Sequence, residues 1–137
     1  VRIFVRALRN FRGAAASYGP MPGYQHHLFV CQNERDETAA RPSCANTGGK
    51  QLRDALKDAV KAAGLKRTVR VNSAGCLDQC EHGPVVVVYP EAVWYGFVLP
   101  RDAQEIVQEH LLHGRPVERL RLSSGCINTG DCPHRKA

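Results

Sequence analysis

The order of hydrophobic patterns along the chain constrains its fold more than any other feature. His27-Leu28-Phe29-Val30-Cys31 is a short β-type run, of the kind that is buried when its faces are covered. Lys50 to Ala63 has helical spacing, with Leu52, Leu56, Ala59, Val60 and Ala63 on one face. Gly64 is well placed to end that helix. Arg67 to Asn72 alternates, putting Val69 and Val71 on one side of a second strand. Pro84 to Tyr89 and Val93 to Val98, joined by Pro90-Glu91-Ala92, predict a hairpin. Asp102 is placed to cap a last helix reaching about His113, with Ile106, Val107, His110 and Leu111 inward.

A strand, a crossover helix and a second strand normally form a parallel pair with a right-handed connection. The hairpin then extends the sheet antiparallel, and the last helix covers a face. The expectation is an α/β, thioredoxin-like fold: β-α-β followed by a β-hairpin and a C-terminal helix.

With 137 residues the chain suits one core. Its longest apolar run, Val85 to Tyr89, is far short of the roughly 20 residues a bilayer span needs, so no membrane insertion is expected. Residues 1–20 have no apolar stretch of the secretory kind, and a cytoplasmic location is expected. The net charge of +6 invites a nucleic-acid reading. Its distribution argues against one. Residues 1–20 carry Arg2, Arg6, Arg9 and Arg12 with no acid, and residues 121–137 carry Arg121, Arg135 and Lys136 against Asp131. Between them, basic and acidic residues balance. A phosphate-binding domain would hold its charge on the folded part. The expected organisation is a mobile basic extension (1–20), one domain (21–120) and a flexible tail (121–137).

Six cysteines are too few for a disulfide scaffold of this size. Cys31, Cys44, Cys76 and Cys80 have the spacing C-x12-C-x31-C-x3-C. Cys31 ends the first strand, Cys44 lies in the long polar loop after it, and Cys76 and Cys80 follow the second strand. Parallel strands finish at the same edge of a sheet, so the four thiols would converge there. Four thiolates suit a structural zinc or an iron–sulfur cluster. Cys76-x3-Cys80 passes as a zinc knuckle, whereas Cys31-x12-Cys44 is too long for one. No C-x2-C is present, so a thioredoxin-style dithiol catalyst lacks its motif.

These residues resemble the thioredoxin-like, Shethna-type [2Fe-2S] ferredoxins. The likeness rests on His27–Cys31, on Val71-Asn72-Ser73-Ala74-Gly75-Cys76-Leu77-Asp78-Gln79-Cys80, and on Gly83-Pro84-Val85-Val86-Val87-Val88-Tyr89-Pro90-Glu91. Val93-Trp94-Tyr95 and Gly114-Arg115-Pro116-Val117-Glu118-Arg119-Leu120 continue it, so that it covers roughly residues 21–120. The resemblance implies that Cys31, Cys44, Cys76 and Cys80 ligate one [2Fe-2S] cluster, the first two on one iron and the last two on the other. It implies a one-electron carrier without substrate chemistry of its own, working between a reductase and an acceptor enzyme, and a homodimer. Backbone N–H groups at Gly75, Leu77 and Gly83 are candidate donors to the sulfurs. A cluster held by four thiolates stays negative, so a basic patch on the partner is expected. Two alternatives use the same cysteines: a zinc-stabilised interaction module, and an accessory subunit or redox sensor of a larger oxidoreductase.

Other residues invite plainer readings. Cys126 and Cys132, outside the framework, are expected as free thiols, with a disulfide or a second metal with His134 as alternatives. His82 is expected as a solvated loop histidine. Trp94 and Tyr95 are expected to bury apolar area in the core or at a subunit contact. Gly48-Gly49-Lys50 reads as a plain helix start. No catalytic motif stands out.

Overall fold

The structure is a computed structural model that describes residues 23–127 and 132–134. The basic segment 1–20 lies outside the described residues. Strands β1 (His26–Cys31), β2 (Val69–Ala74), β3 (Val86–Tyr89) and β4 (Val93–Tyr95) form one sheet in the order β2-β1-β3-β4. β1 and β2 are parallel, and β1–β3 and β3–β4 are antiparallel. This is the predicted topology.

The crossover is helix α1 (Gly49–Ala62). It buries Leu52, Leu56 and Val60, the apolar stripe of its sequence. It ends in a Schellman motif: the Leu65 N–H donates to Val60 O (3.0 Å) and the Gly64 N–H to Lys61 O (3.1 Å). Gly64 has φ 73°, a conformation in which a side chain is strained.

The registers Leu28↔Val88, Val30↔Val86, Val86↔Tyr95 and Val88↔Val93 put these residues on one face of the sheet. That face packs against α1 and against Ala103, Ile106, Val107 and Leu111, forming the main core. The opposite face carries His27, Phe29 and Tyr89, with the His27 and Phe29 rings stacked 4.3 Å apart.

The C-terminal helix ends at Leu112, beside the expected His113, and differs from expectation in its start and its winding. It starts as a 3-10 turn (Pro100–Asp102), passes through Ala103–Glu105 and continues as a π-helix (Ile106–Leu112). Asp102 immediately precedes the α-helical turn, as expected of its cap, but its backbone is already helical and its side chain makes no capping bond to that turn. As the third residue of the 3-10 turn it reaches back to accept from the Leu99 N–H (2.8 Å), and its other oxygen accepts from Arg119 (2.7 Å). The four residues predicted to face inward, Ile106, Val107, His110 and Leu111, are all buried.

Two aromatic expectations resolve differently. Tyr95 is fully buried, while Trp94 is half-buried against the group formed by Cys31, Cys44, Cys80 and Val85. The second half of the predicted hairpin strand is not strand: Gly96 and Phe97 turn away after Tyr95, Phe97 with φ 52°. The described part of 121–137 packs back onto the domain. Arg121 bridges to Tyr95, the Leu122 N–H donates to Trp94 O (2.8 Å), and Leu122, Cys126 and Cys132 are buried. This contact covers the free edge of β4.

Candidate metal centre

The strand ends gather thiols because of the parallel pairing. β1 delivers Cys31 at the same edge at which β2 gives way to the loop carrying Cys76 and Cys80. Cys44 is brought in by the start of α1. The Gly49 N–H donates to Cys44 O (2.8 Å), and Gln32 Nε2 donates to Gly49 O (2.7 Å) and Cys31 O (3.2 Å). A Cβ on Gly49 would stand 2.7 Å from Cys31 O and 2.8 Å from Cys44 O. Only glycine lets the helix begin this close, which gives Gly48-Gly49 a task beyond a plain helix start.

The sulfurs of Cys31, Cys44 and Cys80 lie within 4.8 Å of one another, and all three residues are buried. Cys76 is exposed and lies outside that mutual group, with its sulfur 3.7 Å from that of Cys80. All four predicted residues therefore meet at one end of the domain. The arrangement is a sealed trio with a fourth sulfur at the surface.

The surroundings favour the thiolate at Cys31 and the thiol at Cys44 and Cys80. Cys31 is held down to about 5, first by the thiol of Cys44, against the cost of burial, and with help from the peptide N–H groups of Asn33 and Leu77. Cys44 is pushed up in turn by Cys31 and by burial. Two neighbouring acids do not readily ionise together, so the two shifts run in opposite directions. Burial raises Cys80, with Arg35 opposing it. Arg35 Nη2 donates toward Cys76 Sγ (3.5 Å) and Cys80 Sγ (3.8 Å), and Asn33 Nδ2 donates toward Cys80 Sγ (3.8 Å). The Asp78 N–H donates to Cys76 Sγ (3.3 Å).

Of the three backbone donors expected from sequence, Leu77 serves a sulfur. The Gly83 N–H instead donates to Cys80 O (3.1 Å). The role of Gly83 is spatial, since a Cβ there would lie 2.9 Å from Cys44 Sγ. Arg35 and Asn33 were not singled out in the sequence. They sit in a polar loop without period, where position gives no sign of direction.

A second clasp joins the two ligand loops. Arg41 donates from Nε to Glu81 Oε1 (2.6 Å) and from Nη2 to Glu81 Oε2 (3.1 Å) and Asp78 Oδ1 (3.0 Å). The loop holding Cys44 is thus tied to the loop holding Cys76 and Cys80. One expectation beside the centre fails: His82 is fully buried, packed against Gly96, Phe97, Cys132 and His134.

Chemically, the donor set is all sulfur, largely dry, and fringed by N–H groups. Soft thiolate sites of this kind hold zinc or iron–sulfur clusters, and the missing side chain at Gly83 leaves Cys44 Sγ unobstructed. The class is a metal–thiolate centre at the edge of a thioredoxin-like sheet.

Comparison with known proteins narrows the class. The family described as "Protein of unknown function (DUF1636)" matches residues 28–118. The chain is 43% identical over 100 residues to "Ferredoxin, 2Fe-2S" of Aquifex aeolicus, covering 72% of this chain and 90% of that one. It is 37% identical over 98 residues to "Ferredoxin, 2Fe-2S" of Clostridium pasteurianum, covering 72% and 96%. The crystal structure of the wild-type thioredoxin-like [2Fe-2S] ferredoxin from Aquifex aeolicus superposes with a TM-score of 0.70 at 41% identity, covering 74% of this chain and 99% of that one. The chain belongs to the thioredoxin-like [2Fe-2S] ferredoxin family.

Proposed function

We propose that this protein is a one-electron carrier whose single [2Fe-2S] cluster is held by Cys31, Cys44, Cys76 and Cys80. The observation that carries the reading is the meeting of four thiols from two strand-end loops, in a chain 43% identical to a 2Fe-2S ferredoxin. Bound there, the cluster supplies reversible one-electron redox chemistry. The protein's own part is to hold, shield and tune. Cys31 and Cys44 take one iron, Cys76 and Cys80 the other. The N–H groups of Asn33, Leu77 and Asp78 and the guanidinium of Arg35 offset negative charge on the sulfurs, and Arg41 keeps the two loops together.

The reading is of a carrier rather than an enzyme, built on residues 21–120. Its partners are redox proteins, a reductase and an acceptor enzyme. A homodimer would use the open sheet face, where Phe29, Tyr89 and Trp94 offer apolar area. Among the described residues no helix is long and apolar enough to cross a membrane. Six unpaired thiols suit the reducing cytoplasm.

Anaerobic purification with iron and sulfide analysis and a visible spectrum tests the reading. A red-brown protein with about two irons and two sulfides per chain, bleached by dithionite, is expected. Serine at Cys31, Cys44, Cys76 or Cys80 should impair the cluster. A colourless protein with zinc at these four cysteines would overturn the reading in favour of a structural module.

A further inference from the structure

Four further metal-ligand residues meet away from the proposed cluster. His82, Cys126, Cys132 and His134 place one ligand atom each within 4.8 Å of the others. His82, Cys126 and Cys132 are buried, and His134 closes the group from the outside. His82 Nε2 lies 3.1 Å from Cys132 Sγ, while His134 Nδ1 lies 3.5 Å from Cys132 Sγ and 3.8 Å from Cys126 Sγ. A tetrahedral zinc with Zn–S of about 2.3 Å and Zn–N of about 2.0–2.1 Å has S···N edges of roughly 3.5 Å. The observed separations bracket that edge.

The packing around the group holds it in place. The Phe97 N–H donates to His82 O (2.6 Å), and the Phe97 ring meets the rings of both His82 and His134 edge-on, at 5.9 and 5.3 Å. Gly96 has no room for a side chain, because a Cβ would fall 2.5 Å from Leu122 Cδ2 and 3.2 Å from His82 Cβ. The chain after Leu122 is thereby pressed onto the turn that bears His82. Two free thiols and two imidazoles in one small space is a costly arrangement for plain packing. Two thiolates, two neutral imidazoles and one divalent ion make a neutral unit that tolerates burial.

We propose that His82, Cys126, Cys132 and His134 form a structural zinc site, distinct from the four cluster cysteines, that clamps the C-terminal segment to the turn following Cys80. A donor set of two sulfurs and two nitrogens suits zinc among common divalent ions. The ion has no open position for substrate, so its task is to fix the chain. The site does not depend on the iron–sulfur reading.

The test uses the full-length protein purified from zinc-supplemented medium, with iron, sulfide and zinc measured together. About one zinc per chain is expected, with zinc-edge X-ray absorption giving about two sulfurs at 2.3 Å and two nitrogens at 2.0–2.1 Å. Cys126→Ser, Cys132→Ser and His134→Ala should each lower zinc occupancy by at least about tenfold while iron, sulfide and the visible spectrum stay unchanged. Cys31→Ser should do the reverse. His134 is exposed, so its variant keeps the test valid where a change at buried His82 would disturb the fold. The proposal is overturned by a cluster-loaded protein that takes up no zinc. It is equally overturned by zinc with four sulfur neighbours, by zinc that persists in Cys126→Ser and Cys132→Ser, or by a Cys126–Cys132 disulfide in the zinc-supplemented protein.

Discussion

A single methyl group at Gly83 decides whether the thiols can close on one another. Gly83 has φ −66°, which any residue adopts, so its requirement is one of space. Alanine there would press on Cys44 Sγ, Cys80 O and Thr47 Oγ1 together. Gly83→Ala is expected to cost about 1–3 kcal/mol of stability and to cut iron content several-fold, as measured by thermal melting and iron analysis. Arg35 acts by charge instead. Its donors face Cys76 and Cys80, and a nearby cation favours the more negative, reduced cluster. Arg35→Gln should lower the reduction potential by roughly tens of millivolts, where about 59 mV is a tenfold change for one electron. Protein-film voltammetry reads this directly, and an unchanged potential would remove Arg35 from the tuning. At this scale the sequence showed the four cysteines, because their spacing survives as a pattern. It did not show Arg35 or the steric role of Gly83, since a guanidinium's direction and a missing Cβ have no periodic trace.

Among the elements, Arg41 ties the two cysteine-bearing loops to each other. Its fork to Glu81 is bidentate, and Glu81 lies mostly out of solvent. Arg41→Ala should cost no more than about 1 kcal/mol in stability, as partly exposed ion pairs do. Its larger effect should be faster bleaching of the visible spectrum under an iron chelator. The hairpin and the C-terminal helix are joined by a different device. The Val117 N–H donates to the Tyr95 hydroxyl (3.0 Å), which is hydrogen-bonded to His110 Nδ1 (2.7 Å). In the tautomer with its proton on Nε2, 3.3 Å from Glu91 Oε2, the hydroxyl is the donor of that pair. Tyr95→Phe strands both partners in the core and should cost about 1–3 kcal/mol in denaturant unfolding. Burial holds the His110 pKa below its ordinary 6.5, with Glu91 pulling the other way. The unfolded chain therefore takes the proton first. Stability present above about pH 6.5 should be lost as pH falls toward the lower folded value, and His110→Gln should flatten that part of the melting curve against pH. The elements themselves were readable from periodicity to within a few residues. Asp102 stands at the head of the α-helical turn, as its position in the sequence suggested, but the 3-10 turn before it left no local period, and the carboxylate serves that turn by accepting from the Leu99 N–H.

For the whole molecule, the parallel pair, the antiparallel hairpin and the covering helices followed from the β-α-β order and the handedness of crossovers, while the side of the sheet that the hairpin joins, next to β1, did not. What the pattern could not supply was the return of the C-terminal segment. Ser, Gly, Asn and Pro after Leu122 read as loose chain, yet Leu122 pairs with Trp94, and Cys126 and Cys132 are buried beside His82. Contacts between residues some fifty positions apart leave no local period to detect. The balance of charge within residues 21–120 also bears on partners at this scale, because long-range attraction must then come from local groups near the centre. There, three sulfurs are enclosed and that of Cys76 reaches solvent beside Arg35. Electron tunnelling weakens steeply with distance, so with a cluster in place this corner would be the molecule's terminal, the point that a donor and an acceptor both have to approach.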